Sequence, residues 1–194
     1  MVSDVAEDAE ENALWAFVVW AYALDGVEEA CLALQDEFNA DVVLVLFCVW
    51  LSYRGLGSAD LQQCLGTMLD VSQEWRRNLV EPIRAARRSM KVNLEAAPIA
   101  AADRREAQVI RNRVKRCELD LERLQVGMLY RLVAARDDLG LAGPSAERKA
   151  EALGMLRACF SASGIALDQC ARTHLSHILD AIFGAQAPRS TTEA

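Results

Sequence analysis

The sequence predicts an all-α fold: a bundle of six or seven helices with one long antiparallel helical hairpin. Three observations carry that prediction. Apolar residues recur at helical spacing through most of the chain. The four prolines and ten glycines fall mostly between those periodic segments, where breakers belong. Ile110, Val114, Cys117, Leu121, Leu124 and Met128 alternate steps of four and three, a heptad seam that suits one helix lying along another. A chain of 194 residues buries roughly 70% of its unfolded surface, enough for a core without disulfide or metal staples.

Residues 1–10 are acidic and read as a disordered tail, followed by a single helical domain over 11–184 and a polar tail over 185–194. The first helix is ENALWAFVVWAYAL, ended by Asp25-Gly26. The second, Val27 to Phe38, opens on two glutamates that favour the positive end of the helix dipole. Asn39 suits a left-handed turn, and Asp41 suits the N-cap of a third helix. That third segment, VVLVLFCVWL, is long for a strand and short of the roughly 20 apolar residues a membrane span needs. It and the first helix are apolar all round, which places both at the centre of the domain. Ser58 or Asp60 caps a helix over residues 60–70, and another runs over 71–91, with Pro82 kinking it or marking a junction. After a loop over 92–102, Asp103 caps a helix reaching about Leu139, so 71–139 forms the hairpin. Two more helices follow, over about 145–162 and 166–183.

Charge is unevenly spread. Residues 1–60 carry twelve acids and one base, whereas residues 61–91 carry three acids and six bases. The acidic third therefore has a basic partner available within its own chain, or offers a surface to another protein. A net charge of −7 argues against general nucleic-acid binding, which needs excess Lys and Arg. Six scattered cysteines, none in CxxC spacing, suit buried free thiols in a reducing compartment. The acidic N-terminus lacks the basic start of a signal peptide, so a cytoplasmic location is expected, without membrane insertion.

Three constellations bear on chemistry. Gln35, Asp36, Glu37 and Asp41 place carboxylates close together, as metal-binding aspartates do in helical isoprenoid synthases. No second aspartate-rich motif faces them, and capping explains Asp41. Arg77, Arg84, Arg88 and Lys91 recur at seven, four and three residues and so share one face of a regular helix. That stripe grips a phosphate or an acidic partner, or pairs with the acidic third or with Glu118 and Glu122 across the hairpin. Cys170, His174 and His177 form C-x3-H-x2-H on the last helix, a metal-capable face that wants a distant fourth ligand. HExxH, Walker, GxGxxG and GxSxG motifs are absent, so no catalytic residue and no cofactor is implied.

The blocks ALWAFVVWAYALDGVEEACLALQDEFNADVVLVLFCVWLSYRG and WRRNLVEPIRAARRSMK, followed by RVKRCELDLERLQ, resemble a bacterial family known only as a domain of unknown function. The resemblance runs from about Asn12 to Gln125, with CLALQDEFNADVVLVLF its most specific part. Members often carry Gly at the position of Asn39. The resemblance implies a small cytosolic helical protein and transfers no catalytic residues.

The leading expectation is a non-enzymatic protein that binds another protein or a second copy of itself. The alternative is a binder or enzyme for a small molecule, with or without a phosphate, in a cleft where Gln35, Asp36 and Asp41 face Arg77 and Arg84; Arg88 is a further candidate for contact with a ligand or partner.

Overall fold

The computed structural model describes residues 13–96, 98, 100–134 and 143–185, with side chains except those of 58–64. The expected tails lie outside the described residues, except for Ala185, which directly follows the last helix.

Eight α-helical segments follow one another among the described residues: α1 (Ala13–Tyr22), α2 (Val27–Phe38), α3 (Val42–Tyr53), α4 (Ser58–Trp75), α5 (Glu81–Ala96), α6 (Ala101–Arg131), α7 (Ala146–Ala162) and α8 (Gln169–Gly184). A π-helical turn, Arg76–Val80, joins α4 to α5 without a break. Seven continuous helices therefore make the bundle, and no strand occurs among the described residues.

α3 is the axis of the bundle. Eleven of its twelve residues are buried, and the exception, Val43, borders a cavity described below. A helix apolar on every side has to be covered on every side. α7 covers one flank, where Cys48 meets Cys159 with their sulfurs 3.3 Å apart and Ser52 donates to the Met155 sulfur. α1, α2 and α6 cover the others. α1 departs from expectation: it buries Leu14, Phe17, Val18 and Ala21 but leaves Val19 exposed. It is a flanking helix rather than half of a central pair, and its uncovered apolar side forms a cavity wall.

Local chemistry explains the junctions. Asn39 closes α2 in the left-handed conformation (φ 53°), as its short polar side chain allows. Asp41 caps α3 by accepting from the Leu44 amide at 3.2 Å. Ser145 and Asp168 cap α7 and α8 in the same way. Asp103 lies inside the first turn of α6, whose N-cap is Ala100, and does not cap it. Gly57 rather than Ser58 or Asp60 stands at the N-cap of α4.

The junction expected at Pro82 lies just before it. In the π turn the Glu81 amide donates to the Arg76 carbonyl, five residues back. A widened turn makes room for the proline ring, which clashes with the preceding turn of a regular α-helix. The extra residue also rotates everything beyond it by about 100°, one residue's turn of a 3.6-residue helix.

The hairpin of α5 and α6 is present, with a shorter loop than expected, because α5 continues to Ala96. Its seam is displaced. Ile110 and Leu124, expected inside, are 46% and 38% exposed, and Cys117 is exposed. The buried residues of α6 are Glu118, Gln125, Val126 and Leu129. Glu118, Gln125 and Leu129 each lie one position beyond a predicted seam residue. The reason is the partner face: α5 offers arginines there, and charged pairing turns α6 by about one residue. The part of the long helix expected beyond 134 lies outside the described residues.

α8 packs along α2, and α7 along α3. Met155, Leu156, Phe160, Leu175 and Ile178 thus belong to the same core as the N-terminal helices. Of the cysteines with described side chains, Cys31, Cys48 and Cys159 are buried thiols, as expected, whereas Cys117 and Cys170 are exposed.

Trp50 is 2% exposed, stacks on Phe47 and meets Tyr130 of α6. Trp50→Ala is expected to cost about 3–5 kcal/mol in urea denaturation, the loss typical of an aromatic removed from a packed core. A loss under about 1 kcal/mol would mark Trp50 as a surface residue.

Candidate functional site

A cavity of about 640 Å³ lies between α1, α2 and α3 on one side and the π turn, α5 and α6 on the other. Its size falls within the roughly 300–1,000 Å³ of small-molecule sites. One wall is apolar, built from Trp15, Val18, Tyr22, Val43 and Leu46. The other is polar and comes mainly from the hairpin.

The polar wall is assembled by charge pairing. Arg84 is buried and donates from Nε to Glu118 at 2.8 Å and from Nη2 to Glu122 at 2.6 Å. Arg87 holds Glu118 through both Nε and Nη2. Burial works against the Glu118 carboxylate, but its hydrogen bonds from Arg87 and Arg84 outweigh that cost and hold its pKa below the ordinary value. Glu122 goes the other way. Burial raises its pKa, Arg84 offsets part of the rise, and the charges of Glu118 and Asp41 add to it. Two carboxyls one helical turn apart are thus pushed in opposite directions. On the apolar side, burial pushes the Tyr22 hydroxyl up, and burial likewise pushes its neighbour Cys31, outside the lining, up to about 12, so both stay protonated.

The floor is set by Asp41. Its Oδ2 accepts from Ser72 and from Gln125 Nε2, the latter at 2.7 Å, while Gln125 also reaches Ser72 Oγ at 2.8 Å. Arg76 binds the turn before it, donating to the Asn39 carbonyl at 2.8 Å and to Asn39 Oδ1 at 2.6 Å.

The residues singled out from sequence divide accordingly. Gln35, Asp41 and Arg84 line the cavity. Asp36 and Arg88 pair with each other at the surface. Arg77 falls in the π turn and is exposed at the surface, outside the cavity lining. The expected continuous basic stripe is therefore broken, because the π turn changes the helical register between Arg77 and Arg84. Asp36 and Asp41 are each engaged by donors of the chain itself, Asp36 by Arg88 and Asp41 by Ser72 and Gln125. Cys170, His174 and His177 also separate. His177 Nε2 lies 3.2 Å from the Asp25 carbonyl, while Cys170 and His174 adjoin Glu37.

Sequence reasoning missed Trp15, Tyr22, Arg76, Arg87 and Gln125 as cavity residues. Gln125 carried a usable signal: a polar residue one step beside a heptad seam. The others carried none, since their roles depend on which face meets which helix.

A family model matches residues 13–129 and describes a protein of unknown function, DUF2390. The chain belongs to the DUF2390 family. No curated protein and no solved structure matches the chain. The DUF2390 match includes every cavity residue, whereas α7 and α8 lie beyond it. No described helix is long and apolar enough to cross a membrane.

The two carboxyls of this DUF2390 protein make opposite predictions. Glu118→Gln leaves Arg87 without its carboxylate and is expected to cost about 2–3 kcal/mol at pH 7. A depressed folded pKa means this contribution is present above the unfolded value of about 4.3 and is lost as pH falls through the folded value. Glu122→Gln is expected to leave stability at pH 7 unchanged or raised. With a raised folded pKa, the contribution of Glu122 is fully present below about 4.3 and is lost as pH rises through the folded value. The wild type therefore regains ground on this variant as pH falls. Urea denaturation of both variants across pH checks the signs.

Proposed function

We propose that the protein is a non-enzymatic binding protein whose ligand is a small amphiphilic molecule held in the cavity between α1–α3 and the hairpin. The observation that carries this reading is the cavity's two-sided lining, an aromatic and aliphatic wall facing fixed polar groups. Such a site orients a ligand with an apolar body and a polar end.

The charges refine the ligand class. The lining holds four acids, Glu28, Asp41, Glu118 and Glu122, against four bases, Arg76, Arg84, Arg87 and Lys115. No surplus of positive charge favours a phosphate, and Arg84 and Arg87 already bind carboxylates. A neutral or zwitterionic polar end suits this balanced wall better, since Glu118 and Glu122 are already held by Arg84.

A second reading is contact with another protein or a second copy of the chain. It is supported by the outer part of the hairpin, where Val92 and Val109 are 63% and 51% exposed. The arginines expected to make that contact do not support it, since Arg84 is buried and Arg88 is paired with Asp36.

Native mass spectrometry of the protein purified gently from its own host tests the first reading. The expected result is a low-mass organic adduct that Val19→Trp removes, because Val19 is an exposed residue on the cavity lining where a larger ring obstructs access. A bare chain, or an adduct that Val19→Trp leaves in place, would overturn the cavity reading. A co-purifying protein or a dimer would favour the second.

A further inference from the structure

The end of α2 and the start of α8 bring three metal-ligating atoms together, away from the cavity. Cys170 Sγ lies 3.6 Å from His174 Nε2 and 3.8 Å from Glu37 Oε2. All three atoms lie within 4.8 Å of one another. The i, i+4 spacing puts Cys170 and His174 on one face of α8. Glu37 comes from the last turn of α2, which packs along that helix.

Two of these three separations match the edges of a coordination polyhedron. Zn–S bonds of about 2.3 Å and Zn–N or Zn–O bonds of about 2.0–2.1 Å at tetrahedral angles set ligand–ligand edges of about 3.5 Å. The edges from Cys170 to His174 and to Glu37 are close to that value. As hydrogen bonds the same contacts are weak, because a thiol is a poor donor. A thiolate, an imidazole and a carboxylate suit Zn²⁺, whereas Mg²⁺ and Ca²⁺ prefer oxygen alone. The charges also agree: one thiolate, deprotonated on metal binding, and one carboxylate balance a divalent cation.

We propose that Glu37, Cys170 and His174 form a site for one Zn²⁺-like cation, with its fourth position open to water. His177 is not a ligand. Its ring is turned to Asp25 and Gly26, in the turn between α1 and α2. The site joins α2, which the DUF2390 model covers, to α8, which it does not. A bound ion would therefore clamp the C-terminal helix onto the family's common part.

The test uses the full chain, stripped of metal by a chelator and dialysed, then titrated with Co²⁺ alone and displaced with Zn²⁺. The expected result is one Co²⁺ per chain with a thiolate-to-cobalt absorption band. Cys170→Ser, His174→Ala and Glu37→Gln should each weaken binding by about tenfold or more, since loss of even an outer-shell partner of a ligand costs about 10–100-fold. His177→Ala should bind as the wild type does. Circular dichroism of each variant establishes that its helices are intact. Independently of any variant, Zn²⁺ should raise the melting temperature of the wild type, since it binds the folded arrangement. Absence of the band, its survival in Cys170→Ser, or its loss in a folded His177→Ala would overturn the proposal.

Discussion

The carboxylate of Asp41 is the point on which three helices depend. Oδ1 starts α3, the most buried helix, by satisfying an amide that has no intrahelical partner. Oδ2 holds Ser72 of α4 and Gln125 of α6. One side chain therefore sets where the central helix begins and how near two others approach. An ionised Asp at this position also meets the positive end of the α3 dipole. The cavity opens beside this knot, with Asp41 and Gln125 both in its lining.

Charge shapes the other wall. Arg84, Arg87, Glu118 and Glu122 lie where an apolar heptad seam would have closed α5 onto α6. Buried ion pairs of this kind are poor sources of stability, because desolvation cancels much of their attraction. Their effect here is positional: they turn α6 so that polar atoms face α1 and α2. The π turn acts with them, moving Arg84 inward and leaving Arg77 outside.

Much of the fold was legible in the sequence because it rests on local rules. The left-handed Asn39, the Asp41 cap and the apolar run after it each follow from one or two residues. The site was less legible. Gln35, Asp41 and Arg84 were readable as polar residues near a core, but Arg77 was misplaced by a π turn that leaves no pattern in composition. Cys170 and His174 were readable as an i, i+4 pair. Glu37, more than a hundred residues away in the chain, was not, since nothing in the spacing joins it to α8.

By itself the sequence determined the all-α class, most helix boundaries and the burial of α3, because helical periodicity and capping act over a few residues. Tertiary structure alone decided which face of α6 turns inward, that α1 lines a cavity rather than filling the centre, and that Glu37 meets Cys170. Those outcomes depend on pairings between distant segments, where a rotation of one residue exchanges a leucine for a glutamate.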